Sequence, residues 1–133
     1  MSETEPSVRK RRSQPLIAVL SSVPMLREAL AHTLEDIAEV RVFPAGRGDT
    51  PGLLRSLAPE AIIVDNEEEA EAAAAFAREA DTPVVLVSYR DEHLLLLTDT
   101  GWEEGKDTIS AEGIRNALVG GLFGRARKEA PTR

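Results

Sequence analysis

Short apolar runs alternate with helical patterns along the chain. Four short apolar runs predict strands at 16–20, 40–43, 61–65 and 83–88, and the first of them has the continuity of a strand covered on both faces. Apolar residues at helical spacing predict helices at 24–38, 50–58, 67–80 and 110–123. Because parallel strands need crossovers of about a dozen residues, this alternation predicts an α/β domain with a parallel sheet and helices on both faces.

Capping signals support the predicted helices. Pro24 lies in a first turn, where its missing N–H costs little. Thr50, with Pro51 behind it, and Ser110 are predicted N-caps. The three glutamates at 67–69 lie at the positive end of a helix dipole, which they stabilise.

The segment 89–108 has two interpretations. In the first, "HLLLL" is a strand that turns back antiparallel, because too few residues follow Ser88 for a crossover. In the second, Asp91 caps a short helix through the leucines to Thr98, and a poor edge strand follows at 101–106. We prefer the helix, because leucine favours it and "DE" is a good N-terminal signal.

Composition limits the function classes. A chain of 133 residues fits one domain, predicted at 15–123, with basic tails at 1–14 and 124–133. The net charge of −7 argues against nucleic-acid binding by the domain itself, although the basic tails could supply it. The chain has no cysteine and two scattered histidines, so neither disulfides nor a zinc centre is expected. With no secretory signal or membrane span in the sequence, we expect a cytoplasmic protein without membrane contacts.

The carboxyl ends of the predicted strands collect the candidate chemistry. Ligands of such sheets gather at this edge, where the strand order reverses. The polar residues that follow the strands are Ser21, Ser22, Asp65, Ser88 and Lys106. An acid, hydroxyls and an amine are therefore expected to converge on one pocket.

Three segments resemble the receiver domain of two-component response regulators, particularly its NarL/LuxR-type branch. "SSVPMLREAL" is similar to that branch's "DDHPLVREGL", and "PEAIIVD" to its "PDVVLLD". "PVVLVS" resembles the strand that ends in a switch Ser or Thr, and "KDTISAEGIRNAL" resembles "KDASPEEL". The resemblance covers about residues 15–123 and rests on the order and spacing of these segments together.

The resemblance implies a fold and a set of roles. The fold would be a flavodoxin-like, doubly wound parallel sheet of about five strands, with a shortened or irregular fourth helix and fifth strand. Asp65 would be the phosphoacceptor, Ser88 the switch residue and Lys106 the phosphate-binding lysine. Trp102 would correspond to the aromatic that rotates on activation, although it could equally cover the sheet edge.

The departures from the family pattern bear on mechanism. Ser21 and Ser22 replace the acidic pair that holds Mg²⁺ in receivers, and hydroxyls do not replace two anionic oxygens. Asp65 alone would bind the metal weakly, so no resident cofactor is expected. Asp65 could instead cap the helix that follows it, and the glutamates at 67–69 would repel an incoming phosphate unless they point outward.

These observations favour a pseudo-receiver that acts in signalling or transcriptional control through protein contacts. An unidentified protein partner, a small ligand in the vacated pocket, or a homodimer through the last helix at Gly120 and Gly121 would then regulate it. The chain would be either a stand-alone regulator or the part of a longer protein that precedes a DNA-binding domain.

The alternative is a phosphorylatable receiver that uses Asp65, with Mg²⁺ held by Asp65 and water. An enzyme ranks below both, because no nucleophile has a positioned base and neither histidine is expected at the carboxyl edge.

Overall fold

The computed structural model of the chain describes residues 14–46, 48–89, 92–98 and 101–129, with 121–129 described as backbone only. The strands are β1 (Leu16–Leu20), β2 (Glu39–Phe43), β3 (Ala61–Val64), β4 (Val84–Ser88), β5 (His93–Thr98) and β6 (Gly101–Glu104). The helices are α1 (Pro24–Leu34), α2 (Thr50–Leu57), α3 (Glu67–Ala80) and α4 (Ala111–Glu129). The predicted α/β class is confirmed.

The six strands form one mixed sheet in the order β2-β1-β3-β4-β5-β6. The first four strands pair in parallel, as the alternation of strands and helices predicts. β5 pairs antiparallel with both β4 and β6. The sheet is compatible with a Rossmann-like α/β fold, but it is neither wholly parallel nor limited to five strands.

The preferred helix through the leucines is wrong. His93–Thr98 is the antiparallel strand β5, with Leu95 opposite Leu86 and Leu96 opposite Val85. The chain reverses between Ser88 and His93, and Glu92 adopts a left-handed φ of 59° in that turn. Pairing with two strands outweighs the helix propensity of leucine. The edge strand expected after it is present as β6, while Asp91 lies outside the described residues.

Apolar side chains cover both faces of the sheet. On one face, Leu30 and Leu34 of α1 and Ile114 and Leu118 of α4 pack with Val19 and other inward residues of the strands. On the other face, buried residues of α2 and α3 pack with strand residues; these are Leu54, Ala70, Ala73, Ala77, Ala18, Leu20, Ile62, Val64, Val84 and Leu86. The prediction of helices on both faces is confirmed.

The helix ends follow the capping signals in part. α1 begins at Pro24, and Ser110 accepts a hydrogen bond at its Oγ from the Gly113 N–H at 2.9 Å. Thr50 is not the N-cap but the first residue of α2, and its side chain bonds elsewhere. α1 ends at Leu34 rather than at 38, where the N–H groups of Ile37 and Ala38 turn back to the Leu34 carbonyl. α4 continues to Glu129, so the tail predicted at 124–133 begins inside this helix.

Arg115 joins α4 to the end of α1. Its Nη1 donates to the Thr33 carbonyl and to Asp36 Oδ1, both at 2.8 Å. The hydrogen bond from Arg115 lowers the pKa of Asp36, which holds the carboxylate ionised as the acceptor. This contact fixes the two helices on their shared face of the sheet.

Among the described residues, no helix combines the length and the apolar character needed to cross a membrane.

Candidate functional site

Ser21 and Asp65 meet at the carboxyl edge of the sheet. Leu20 at the end of β1 lies opposite Val64 at the end of β3, so the residues that follow the two strands emerge side by side. The Ser21 hydroxyl donates to Asp65 Oδ2 at 2.6 Å. The predicted convergence of these two residues is therefore present, and it takes the form of a charge-assisted hydrogen bond.

The backbone fixes the orientation of the Ser21 hydroxyl. Ser21 is only 1% exposed, and its N–H donates to the Phe43 carbonyl at 3.0 Å. The Val23 N–H donates to Ser21 Oγ at 3.0 Å, just before α1 begins. With an acceptor site filled from Val23, the hydroxyl proton points to Asp65. Ser22, by contrast, is exposed to solvent.

Asp65 does not cap the helix that follows it. Asn66 is the N-cap of α3, and its side chain accepts a hydrogen bond from the Glu69 N–H at 3.1 Å. The capping interpretation of Asp65 is therefore wrong, because the adjacent amide fills that role. The half-buried Asp65 is directed across the sheet edge to Ser21 instead.

Glu69 is turned into the connection between β2 and α2. It is 5% exposed, and its carboxylate accepts a hydrogen bond from the Gly46 N–H at 2.5 Å and another from Thr50 Oγ1. Glu67 and Glu68 are exposed. The sequence left open whether these glutamates face an incoming phosphate or point away, and the Glu69 carboxylate is turned to the loop.

Tyr89 is a site residue that the sequence pattern did not indicate. It directly follows β4 and is 47% exposed. Burial raises the pKa of its phenol, and the negative charge of Asp65 raises this pKa further. The phenol therefore stays neutral beside the carboxylate. Its position immediately after Ser88 at a strand end was the available signal.

His93 also belongs to this edge, contrary to the expectation that neither histidine would. It begins β5 directly opposite Ser88, the last residue of β4, because the strand turns back here. His93 Nε2 lies 2.8 Å from Glu104 Oε2 on β6. This placement depends on the antiparallel strand, so an interpretation of the segment as a helix hides it.

Lys106 does not join Asp65. It is exposed and follows β6, the outermost strand, so β4 and β5 lie between its strand and β3. Three strand spacings correspond to about 14 Å. Trp102, on β6 opposite Leu97, is half-buried and packs against the core cluster on the α2 and α3 face. The expected convergence thus includes Ser21 and Asp65, but not the lysine.

The donor set does not fit a magnesium site of the receiver type. One carboxylate is present where receivers supply three, and Asp65 Oδ2 already accepts the Ser21 proton. The neutral Ser21 hydroxyl beside it would offer a metal ion little charge compensation. Within the described residues, no three His, Cys, Asp or Glu side chains are grouped to hold a metal.

Comparisons with known proteins add no family to these observations. No protein-family model, curated protein or solved structure matches the chain.

Proposed function

We propose that the chain is a pseudo-receiver domain that acts in signal transduction or transcriptional control through protein contacts, without efficient phosphorylation. The proposal also includes a flavodoxin-like arrangement for the first four strands. Their parallel order β2-β1-β3-β4 agrees with the 2-1-3-4 part of the flavodoxin order. β5 and β6 then form a hairpin in place of the last parallel strand.

The hydrogen bond from Ser21 to Asp65 carries this proposal. Phosphoryl transfer to a carboxylate brings negative charge toward an anion, and receivers offset that charge with Mg²⁺ held by acids. Here the nearest group is a neutral hydroxyl, which supplies one proton to Oδ2 and no net positive charge. The developing charge is left largely uncompensated, so transfer is expected to be slow.

The position of Lys106 supports the same conclusion. In the family it resembles, this lysine would reach the phosphoryl group, and its cation would stabilise the added charge. In this chain the hairpin adds an extra strand between β4 and the strand that precedes the lysine. An exposed amine at the far edge is poorly placed to assist at Asp65.

Regulation would then come from binding instead of covalent modification. An unidentified protein partner, a small ligand beside Asp65, or a second copy of the chain would each serve in the cytoplasm. A surface on α4 is compatible with close approach at Gly120, where no atom lies within 4 Å of an added Cβ.

Incubation with acetyl phosphate and Mg²⁺, followed by intact-mass spectrometry, tests the proposal. We expect the protein to keep its unmodified mass while an ordinary receiver domain treated in parallel gains a phosphate. Loss of any added mass in Asp65→Asn identifies the modified residue. Stoichiometric phosphate on Asp65 would contradict the proposal and establish the alternative, a phosphorylatable receiver.

A further inference from the structure

β2 forms one outer edge of the sheet. It pairs with β1 on one side, and no other described strand pairs with its second side. The Glu39 N–H donates to the Pro15 carbonyl, and the Phe43 carbonyl accepts from the Ser21 N–H. Backbone groups alternate sides along a strand, so the N–H and C=O groups of Val40 and Val42 point away from β1. This edge offers two residues of donors and acceptors.

β2 lacks several of the features that normally protect an edge strand. Its sequence EVRVF contains no proline, glycine or lysine, and Val42 is 40% exposed. The opposite edge is different: β6 has four residues, begins at Gly101 with a φ of 128°, and carries the exposed Glu103 and Glu104. Two adjacent like charges discourage pairing at β6, whereas β2 carries no such repulsion.

The charges on β2 are complementary to themselves when the strand is reversed. Glu39 and Arg41 share one face of the strand, where Arg41 Nε lies 3.3 Å from Glu39 Oε2. In an antiparallel pair of two β2 strands centred on Val40, Glu39 lies opposite Arg41 of the second copy, and this pair occurs twice. Centring on Arg41 instead would place two guanidinium groups together. The charges therefore select one register.

We propose that β2 pairs antiparallel with β2 of a second copy, around a two-fold axis at Val40, to make a continuous twelve-stranded sheet. The outward N–H of Val40 donates to the Val40 carbonyl of the second copy, and the Val40 carbonyl accepts from the N–H of that copy. Glu39 and Arg41 flank this pair on both sides, and each charge meets its opposite across the axis. A two-fold axis makes the interface self-complementary and closed. The proposal is independent of the chemistry at Asp65.

Sedimentation equilibrium of the full chain over a range of concentrations tests this interface. We expect a transition from 14.4 kDa to twice that mass as the concentration rises. Arg41→Glu places carboxylates opposite one another and should weaken the dimer on the order of tenfold. The double exchange Glu39→Arg with Arg41→Glu restores opposite charges across the axis and should restore the dimer.

Val42→Pro provides a second, backbone test. It removes an outward N–H without removing a bond to β1, so β2 stays in the sheet while the edge is blocked. Circular dichroism and thermal unfolding verify that each variant is folded. A monomer at every concentration would overturn the proposal and leave the edge to a different protein. A dimer that neither Arg41→Glu nor Val42→Pro weakens would overturn it too, and would place the interface on another surface.

Discussion

At the scale of single residues, the Ser21 hydroxyl lies beside the Asp65 carboxylate at the carboxyl edge of the sheet. Ser21 is buried, receives a hydrogen bond from the backbone of Val23 and gives its own proton to Asp65. The local chain supplies this geometry because β1 and β3 end in register. The hydroxyl therefore gives the carboxylate a fixed hydrogen-bond donor at Oδ2.

Ser21→Ala should destabilise the fold. The substitution removes the donor to Asp65 and the acceptor for the Val23 N–H, so two partly buried groups lose a partner. We expect the free energy of unfolding to fall by about 1–3 kcal/mol, measured by urea denaturation. Ser22→Ala is the matched control, because Ser22 is exposed, and it should change stability by less than about 0.5 kcal/mol. Equal effects of the two substitutions would count against the hydrogen bond.

Asp65→Asn should lower the pKa of Tyr89. Burial is the larger cause of the raised value and remains, while the negative charge of Asp65 is removed, so only part of the shift should disappear. Tyr89 is the only tyrosine, so ultraviolet absorbance follows its titration alone. Glu68→Gln, at an exposed position, should leave the titration unchanged. An identical Tyr89 pKa in Asp65→Asn would show that the two groups do not interact.

The same titration affects stability at alkaline pH. Because the folded protein holds the Tyr89 proton more tightly than the unfolded chain, its contribution is present below the unfolded pKa of about 10. The contribution is lost as the pH rises through the folded pKa.

The sequence predicted part of this site for a clear physical reason. Strand ends can be located from apolar runs, and neighbouring parallel strands end at one edge, so Ser21 and Asp65 could be placed together. Tyr89 and His93 could not, because their positions depend on how the chain reverses after β4. Asn66 takes the capping role that left Asp65 free to contact Ser21.

At the scale of elements, the hairpin of β5 and β6 is where local and tertiary preferences conflict. A run of leucines favours a helix, yet Leu94 is fully buried in one core cluster while Leu95 and Leu97 pack against the other. Alternating burial on two faces is a property of a strand. The pattern "HLLLL" shows no alternation in its letters, so only the pairing with β4 reveals it.

Glu69→Gln should loosen the connection between β2 and α2. The Glu69 carboxylate accepts hydrogen bonds from the Gly46 N–H and from Thr50 Oγ1, and an amide would direct its NH₂ group at one of these donors. We expect a loss of about 1–3 kcal/mol in the free energy of unfolding and faster hydrogen exchange at the Gly46 amide. Glu67→Gln, at an exposed position of the same helix turn, serves as the control. Unchanged exchange at Gly46 in Glu69→Gln would contradict this contact.

At the scale of the whole molecule, the parallel strands and the hairpin divide the sheet into two parts. β1 to β4 bring Ser21, Asp65 and Tyr89 together at the carboxyl edge, while Trp102 lies on β6 and Lys106 follows it, three strand positions from β3. The parallel pairing of the first four strands followed from their alternation with helices. The position of β6 did not, since the added antiparallel strand displaces everything after it by one place.

The central claim is that Asp65, which accepts a hydrogen bond from Ser21, does not take up a phosphoryl group in the presence of Mg²⁺. Amide NMR spectra with and without Mg²⁺ and beryllofluoride, a mimic of the aspartyl phosphate, test this most directly. We predict that the amide signals of Ser21, Asp65 and Tyr89 stay where they are, in the wild type as in Asp65→Asn. Shifts clustered on these residues in the wild type and absent from Asp65→Asn would contradict the claim and make the site a phosphorylation switch.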